Sequence, residues 1–268
     1  SYIAANYPAD YNIFALVRTN DKNCIYPDKK VRQIVSDKIG KEFIGTLEQD
    51  NIIKIMLDLE QFIGLEIKWL SGITYDEVVK RKGGWLPNVL HRYCTTNLKM
   101  LPIMEWWQKE INKLVEMRIG FRANEKNRQK KIIERCNENG VQLDKFIVGK
   151  RKTLNKWGLI EWRKPTFPLI NDNITNDIIV KYWNKNKIVS FKKGYYNNCV
   201  GCFHRNPLFL KKMSLEHKNK IEWFAKQEGG KKGFWKSDMK YNDIKKFDIQ
   251  TELNFNDFSE CDTGYCGL

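Results

Sequence analysis

The chain has 268 residues, 42% of them hydrophobic and 29% charged, with a formal net charge of +15. Apolar and charged residues are mixed throughout, which excludes a disordered chain and supplies enough apolar surface for a sizeable core. No stretch approaches the roughly 20 apolar residues of a membrane span, and no basic start followed by an apolar run marks a secretory signal, so a soluble cytoplasmic protein is expected. The lysine excess draws polyanions, either nucleic acid or phosphorylated nucleotides; it also fits a solvated lysine-rich surface.

In chain order, residues 1–7 look like the tail of a helix. Tyr11 to Arg18 reads as a short buried strand, with Arg18, Thr19 and Asn20 at its carboxyl end as candidate nucleotide contacts. Residues 28–39 read as a helix, Phe43 to Leu47 as a second strand, Asn51 to Phe62 as a helix and Leu65 to Leu70 as a strand. Such alternation predicts a parallel sheet flanked by crossover helices. Val79 to Asn88, with Gly83, Gly84 and Pro87, reads as a loop, and a helix follows from about Thr95 to Ile111. Leu114 to Ile119 reads as a strand ahead of a basic helix near 125–137. Residues 155–170 read as irregular, their aromatic run from Trp157 to Phe167 as core. Asp172 to Trp183 reads as a helix capped by Asn173 or Thr175. The division expected is a nucleotide-binding α/β domain over 1–190 and a cysteine-rich segment over 191–268.

Three constellations carry chemistry. At Arg92–Lys99 a loop enters a helix, so the backbone N–H groups near Thr95 and Thr96 can meet an anion beside the cations Arg92 and Lys99. Cys94 lies among them, where a helix start and two cations predict a lowered thiol pKa and a catalytic role. At Gly120–Arg128, following a strand, Gly120 allows close backbone approach. Arg122 and Arg128 can each grip a phosphate or sulfate, and Glu125 can orient an arginine or bind a ribose hydroxyl. The third constellation is cysteine. Seven cysteines in a leaderless chain argue against a disulfide framework. The pairs Cys199/Cys202 and Cys261/Cys266 instead suit four thiolates on one site, with zinc and an iron–sulfur cluster both open. His91, His204 and His217 read as structural, with His204 close enough to Cys202 in sequence to support a ligand.

The ordered pieces RYCTTNLK (92–99), GFRANEKNR (120–128), WRKPTFPL (162–169), NNCVGCFHRNP (197–207) and ECDTGYC (260–266) span most of the chain. Together they resemble the phosphoadenosine phosphosulfate (PAPS) reductase-like family, especially its short phage and bacterial members. The resemblance implies an adenine-nucleotide α-hydrolase-like fold in the cytoplasm of a bacterium, or of the host cell if the protein is phage-encoded. It implies Arg92, Thr95 and Lys99 at the phosphate or sulfonucleotide site, together with Gly120, Arg122, Glu125 and Arg128. The cofactors it implies are ATP or an adenosine phosphosulfate-type nucleotide, and a [4Fe–4S] cluster or zinc on Cys199, Cys202, Cys261 and Cys266.

Two departures qualify what the resemblance implies. The family's Ser-Gly-Gly-x-x-Ser phosphate loop is absent from these residues, which predicts a natural protein longer by a strand and that loop. The tail lacks the Cys-Gly-x-His-type nucleophile of a thioredoxin-dependent reductase, which argues against literal PAPS reduction. Beside reductive or ATP-dependent sulfur chemistry on a nucleotide stand two alternatives. One is ATP-dependent sulfur transfer to nucleic acid. The other is a non-catalytic nucleic-acid-binding module on a degenerate nucleotide fold. The expected partners are an adenine nucleotide and, in these alternatives, nucleic acid; a homo-oligomer is compatible with the chain, a membrane is not.

Overall fold

A computed structural model of the protein describes residues 1–152, 154–186, 199–229 and 233–246. The chain opens with α1 (Tyr2–Asn6) and β1 (Asn12–Ala15), and continues through α2 (Lys29–Ile39) and α3 (Asn51–Ile63) to β2 (Ile67–Leu70). α2 starts where Asp28 accepts from the backbone N–H groups of Lys30 and Val31, and it stops at Gly40, whose φ of 63° takes the left-handed turn. β1 and β2 pair in parallel, Asn12 opposite Ile67 and Ala15 opposite Leu70. Parallel neighbours need a crossover, and α2 and α3 provide it. Phe43 to Leu47, expected as a strand, forms only an isolated bridge, in which Gly45 meets both Thr19 and Ile25. A ladder cannot grow there because the segment serves two partners at once: Gly45 O accepts from Thr19 N at 3.0 Å and Ile44 O from Tyr26 N at 2.9 Å.

α4 (Tyr75–Arg81) is set by a reciprocal cap between Thr74 and Glu77, so the expected loop at Val79 begins only after Arg81. A helical run follows: α5 (Tyr93–Thr95), a π-helical turn at Thr96–Met100, α6 (Leu101–Trp106) and a second π-helical turn at Trp107–Ile111. Then come β3 (Val115–Arg118), α7 (Lys126–Ile133), β4 (Gln142–Arg151) and β5 (Leu154–Thr166). Residues 155–166 are therefore strand, not irregular chain. β5 pairs antiparallel with β4 and parallel with β3, giving a mixed sheet in the order β3-β5-β4. α8 (Pro168–Asn171) and α9 (Asn176–Lys185) follow, the latter starting after Thr175, one of the two caps expected for it. α10 (Pro207–Glu216) and α11 (Lys218–Gln227) complete the helices of the described residues. No helix among them is long and apolar enough to cross a membrane.

The described residues form two compact units. One combines residues 1–9 with 104–186; the other combines 10–103 with those beyond 198. In the first, Trp162 is fully buried between Trp107 and Phe146, with its indole N–H on Asp144 at 2.8 Å, while Ile119, Phe121, Ile132 and Phe167 form a further apolar cluster. In the second, Val17, Leu47, Tyr75 and Val78 share a core with Val200, Phe203, Phe209, Trp223, Phe224 and Trp235. That core therefore unites an early and a late stretch of chain.

Candidate functional site

The unit formed by 10–103 and the late stretch brings Cys94 to Cys199 and Cys202. Cys199 is fixed by an antiparallel bridge to Glu48, flanked by Val200 N donating to Leu47 O at 2.8 Å. The chain then turns tightly: Cys202 N donates to Cys199 O at 3.1 Å, and Arg205 Nε donates to the same oxygen at 3.1 Å. Gly201 lies against the Phe224 ring, where an added Cβ would come within 2.4 Å, and its carbonyl accepts from Tyr241 Oη at 3.0 Å. A side chain at 201 would therefore push this turn off the aromatic core. Cys94 arrives on α5 and packs, with buried Tyr75, against the core that also holds Val200 and Phe203.

The three sulfurs are close enough to act on one another electrostatically. Burial, followed by Cys202, raises the Cys94 thiol pKa, outweighing Arg92, Tyr75 and Thr95, which pull it down. The expected lowering at Cys94 is thus overturned: desolvation of the thiolate exceeds the pull of a helix start and one cation. Lys99, the second cation, serves a different group. From the π-helical turn its Nζ meets Glu48 Oε1 at 2.9 Å. Burial works against the ammonium, but Glu48, Cys199 and Cys202 prevail and raise its pKa. Burial, with Glu48 beside it, pushes the Cys199 thiol well up despite Lys99. Glu48 Oε2 is buried with no hydrogen-bond partner among the described residues, while the Glu48 backbone carbonyl accepts from buried Lys220 at 2.6 Å. An orphaned carboxylate oxygen beside three thiols is the kind of group a bound species would satisfy.

Among the described residues no group of three or more His, Cys, Asp or Glu side chains closes around a single metal ion. Cys261 and Cys266 lie outside the described residues.

Two of the three candidate contacts at the end of β1 are committed internally. Arg18, only 8% exposed, donates to Ser71 Oγ at 2.7 Å, Glu42 O at 2.9 Å and Gly72 O at 2.8 Å. Thr19 is buried with its hydroxyl on Asp76 at 2.7 Å, and the Asn20 N–H donates to the same carboxylate oxygen at 2.9 Å. Thr19 anchors α4 with its side chain, whereas Asn20 is tied only through its backbone and stays exposed. Arg92 and Thr95 are partly buried beside Cys94.

Gly120, Arg122, Glu125 and Arg128 belong to the other unit. There Glu125 is clamped: its Oε2 accepts from Arg122 N at 2.8 Å and Arg122 Nε at 3.0 Å, and Oε1 accepts from Arg128. Arg128 also lies over the Phe121 ring at 4.1 Å. Arg122 reaches Asn176 Oδ1 at 3.1 Å and keeps 38% of its side chain exposed, against 12% for Arg128. Of the pair, Arg122 is the one that can meet a solvent-borne anion, with Glu125 orienting it. Gly120 faces Ile3 at an ordinary 3.5 Å, so no close approach explains it.

Sequence reasoning missed Glu48, Tyr75 and Lys220 at the thiol site. The only available signal was the Thr74–Glu77 capping pattern, which places Tyr75 at a helix start. Compared with protein-family models, with curated proteins and with solved structures, the chain matches none.

Proposed function

We propose that the protein is a PAPS-reductase-like enzyme of the adenine-nucleotide α-hydrolase type, binding an adenine nucleotide or sulfonucleotide and holding a [4Fe–4S] cluster. The observation that carries this reading is the meeting of Cys94 with Cys199 and Cys202 at one buried site. Those three would be ligands, with a cysteine of the 261/266 pair as the fourth; Cys94 then acts as a ligand rather than a nucleophile. The cluster would supply electron or sulfur chemistry. The chain's own part is electrostatic. The Lys99 ammonium offsets thiolate charge in a site that Val200 and Phe203 keep dry, and Arg122, held by Glu125, offers a planar pair of donors to phosphate or sulfate.

The test is iron, zinc and acid-labile sulfide content of anaerobically purified protein, with its visible spectrum. Iron with sulfide is expected, and Cys94→Ser should lose most of both while Cys136→Ser, in the other unit, retains them. Zinc without sulfide, or full iron content in Cys94→Ser, overturns the reading. For the nucleotide, Arg122→Ala should weaken ATP or sulfonucleotide binding in calorimetry by about 2 kcal/mol; unchanged affinity removes Arg122 from the site.

The net charge of +15 favours a second reading, ATP-dependent sulfur transfer to nucleic acid. A sulfur-containing nucleoside in digested nucleic acid from expressing cells would select it.

A further inference from the structure

The β4–β5 hairpin is longer than its sheet requires. β3 pairs only with Arg163 to Thr166 of β5, so from Leu143 to Glu161 the hairpin is a two-stranded ribbon. Its base is anchored, with Phe146 and Trp162 packed on Trp107. Farther out, large apolar side chains face solvent: Trp157 is 53% exposed, Leu159 66% and Leu154 72%.

The register sorts these residues by face. Ile147 lies opposite Trp157 and Lys145 opposite Leu159, and cross-strand partners share a face. Lys145, Ile147, Trp157 and Leu159 therefore form one surface, the face opposite Phe146. Lys145, Trp157, Gly158 and Leu159 bound a shallow hollow of about 500 Å³. Charge around it is mostly positive: from 145 to 159 the sequence carries Lys145, Lys150, Arg151, Lys152 and Lys156 and no Asp or Glu, and the acid nearest along this face is Glu161, opposite Leu143. Lys145, Lys150 and Lys152 are exposed, and Lys150, opposite Asn155, shares the Trp157 face, whereas Lys156, opposite Gly149, lies on the other.

An exposed indole beside an apolar hollow, flanked by an excess of cations, is the chemistry that holds single-stranded nucleic acid: a base stacks on the ring while the cations track its phosphates. We infer that the outer face of the β4–β5 ribbon is a nucleic-acid-binding surface, with Trp157 as its stacking platform and Lys145, Lys150 and Lys152 as phosphate contacts. The inference is independent of the thiol site and of the nucleotide reading.

The test is fluorescence anisotropy with labelled single-stranded RNA and DNA of about 20 nucleotides and with the matching duplex, over a salt series. Single strands should bind more tightly than the duplex, and whichever single strand binds better identifies the natural class. Trp157→Ala should weaken binding roughly 5- to 100-fold, and Trp157→Phe should restore most of it. Replacing Lys145, Lys150 and Lys152 with Gln should flatten the plot of log affinity against log salt by about 2. Both variants should keep wild-type metal content and circular dichroism, so failure here is separable from failure of the enzyme reading. No binding by the wild type, or unchanged binding by both variants, overturns the inference. So does a sedimentation experiment in which the wild type self-associates and Trp157→Ala does not, since the face would then be a contact between copies.

Discussion

Glu125 shows at the residue scale how two cations decide a titration. Burial alone would raise its pKa, but Arg122 and Arg128 hold it below the ordinary 4.5. As pH falls, the unfolded chain therefore takes the proton first. Glu125's contribution is complete above the ordinary value and disappears as pH drops through the lowered one. Glu125→Gln should cost about 1–3 kcal/mol near neutral pH, and the gap from wild type should narrow in thermal melts as pH falls below the ordinary carboxylate range. Arg18 makes the complementary case. Its three donor bonds end on internal acceptors, so Arg18→Ala should destabilise by about 2 kcal/mol or more in urea titrations without a nucleotide-specific effect. The sequence exposed the types of these residues but not their partners. Arg18 looks the same in one dimension whether it points to a phosphate or to Gly72 O, and Cys94's cations could be counted but its burial could not.

Among elements, those whose pattern agreed with their neighbours were readable. α2 has its Asp28 cap and Gly40 stop, α3 its helical spacing, and β1 and β2 their apolar runs. The ribbon was not readable, because both of its faces carry lysine and only Phe146 and Trp162 mark the inner one. Within the stretch expected to be irregular, Gly158 is needed in β5 where Val148 would lie 2.9 Å from a Cβ. Trp157 was grouped with the core for the same reason: its neighbour Trp162 is fully buried while Trp157 is not. The turn carrying Cys199 and Cys202 depends similarly on one glycine. Gly201→Ala should cost about 1–3 kcal/mol through its clash with Phe224. The same change should lower bound iron, a paired readout that distinguishes the turn from an ordinary core position.

For the molecule as a whole, two compact units with separate cores predict unfolding in more than one step. Denaturant titration followed by both fluorescence and circular dichroism should give non-coincident curves. Gly201→Ala should shift only the transition of the unit that holds Cys94. A single coincident transition would show that the two units fold as one. Division into units was the least legible feature, because it depends on which distant segments share a core, and local patterns carry no trace of that.

The thiol unit's discontinuity has a consequence during synthesis. Val17, Leu47, Tyr75 and Val78 leave the ribosome roughly 120–220 residues before the Val200, Trp223 and Trp235 that cover them. At elongation rates of about 5–20 residues per second the nascent chain waits roughly 6–44 s with half a hydrophobic interior uncovered. Cys94 waits with it, without its companion thiols. A chain arrested between residues 103 and 199 should be a strong client of nascent-chain chaperones, and the cluster proposed on Cys94, Cys199 and Cys202 could assemble only once translation has passed the Cys199–Cys202 turn.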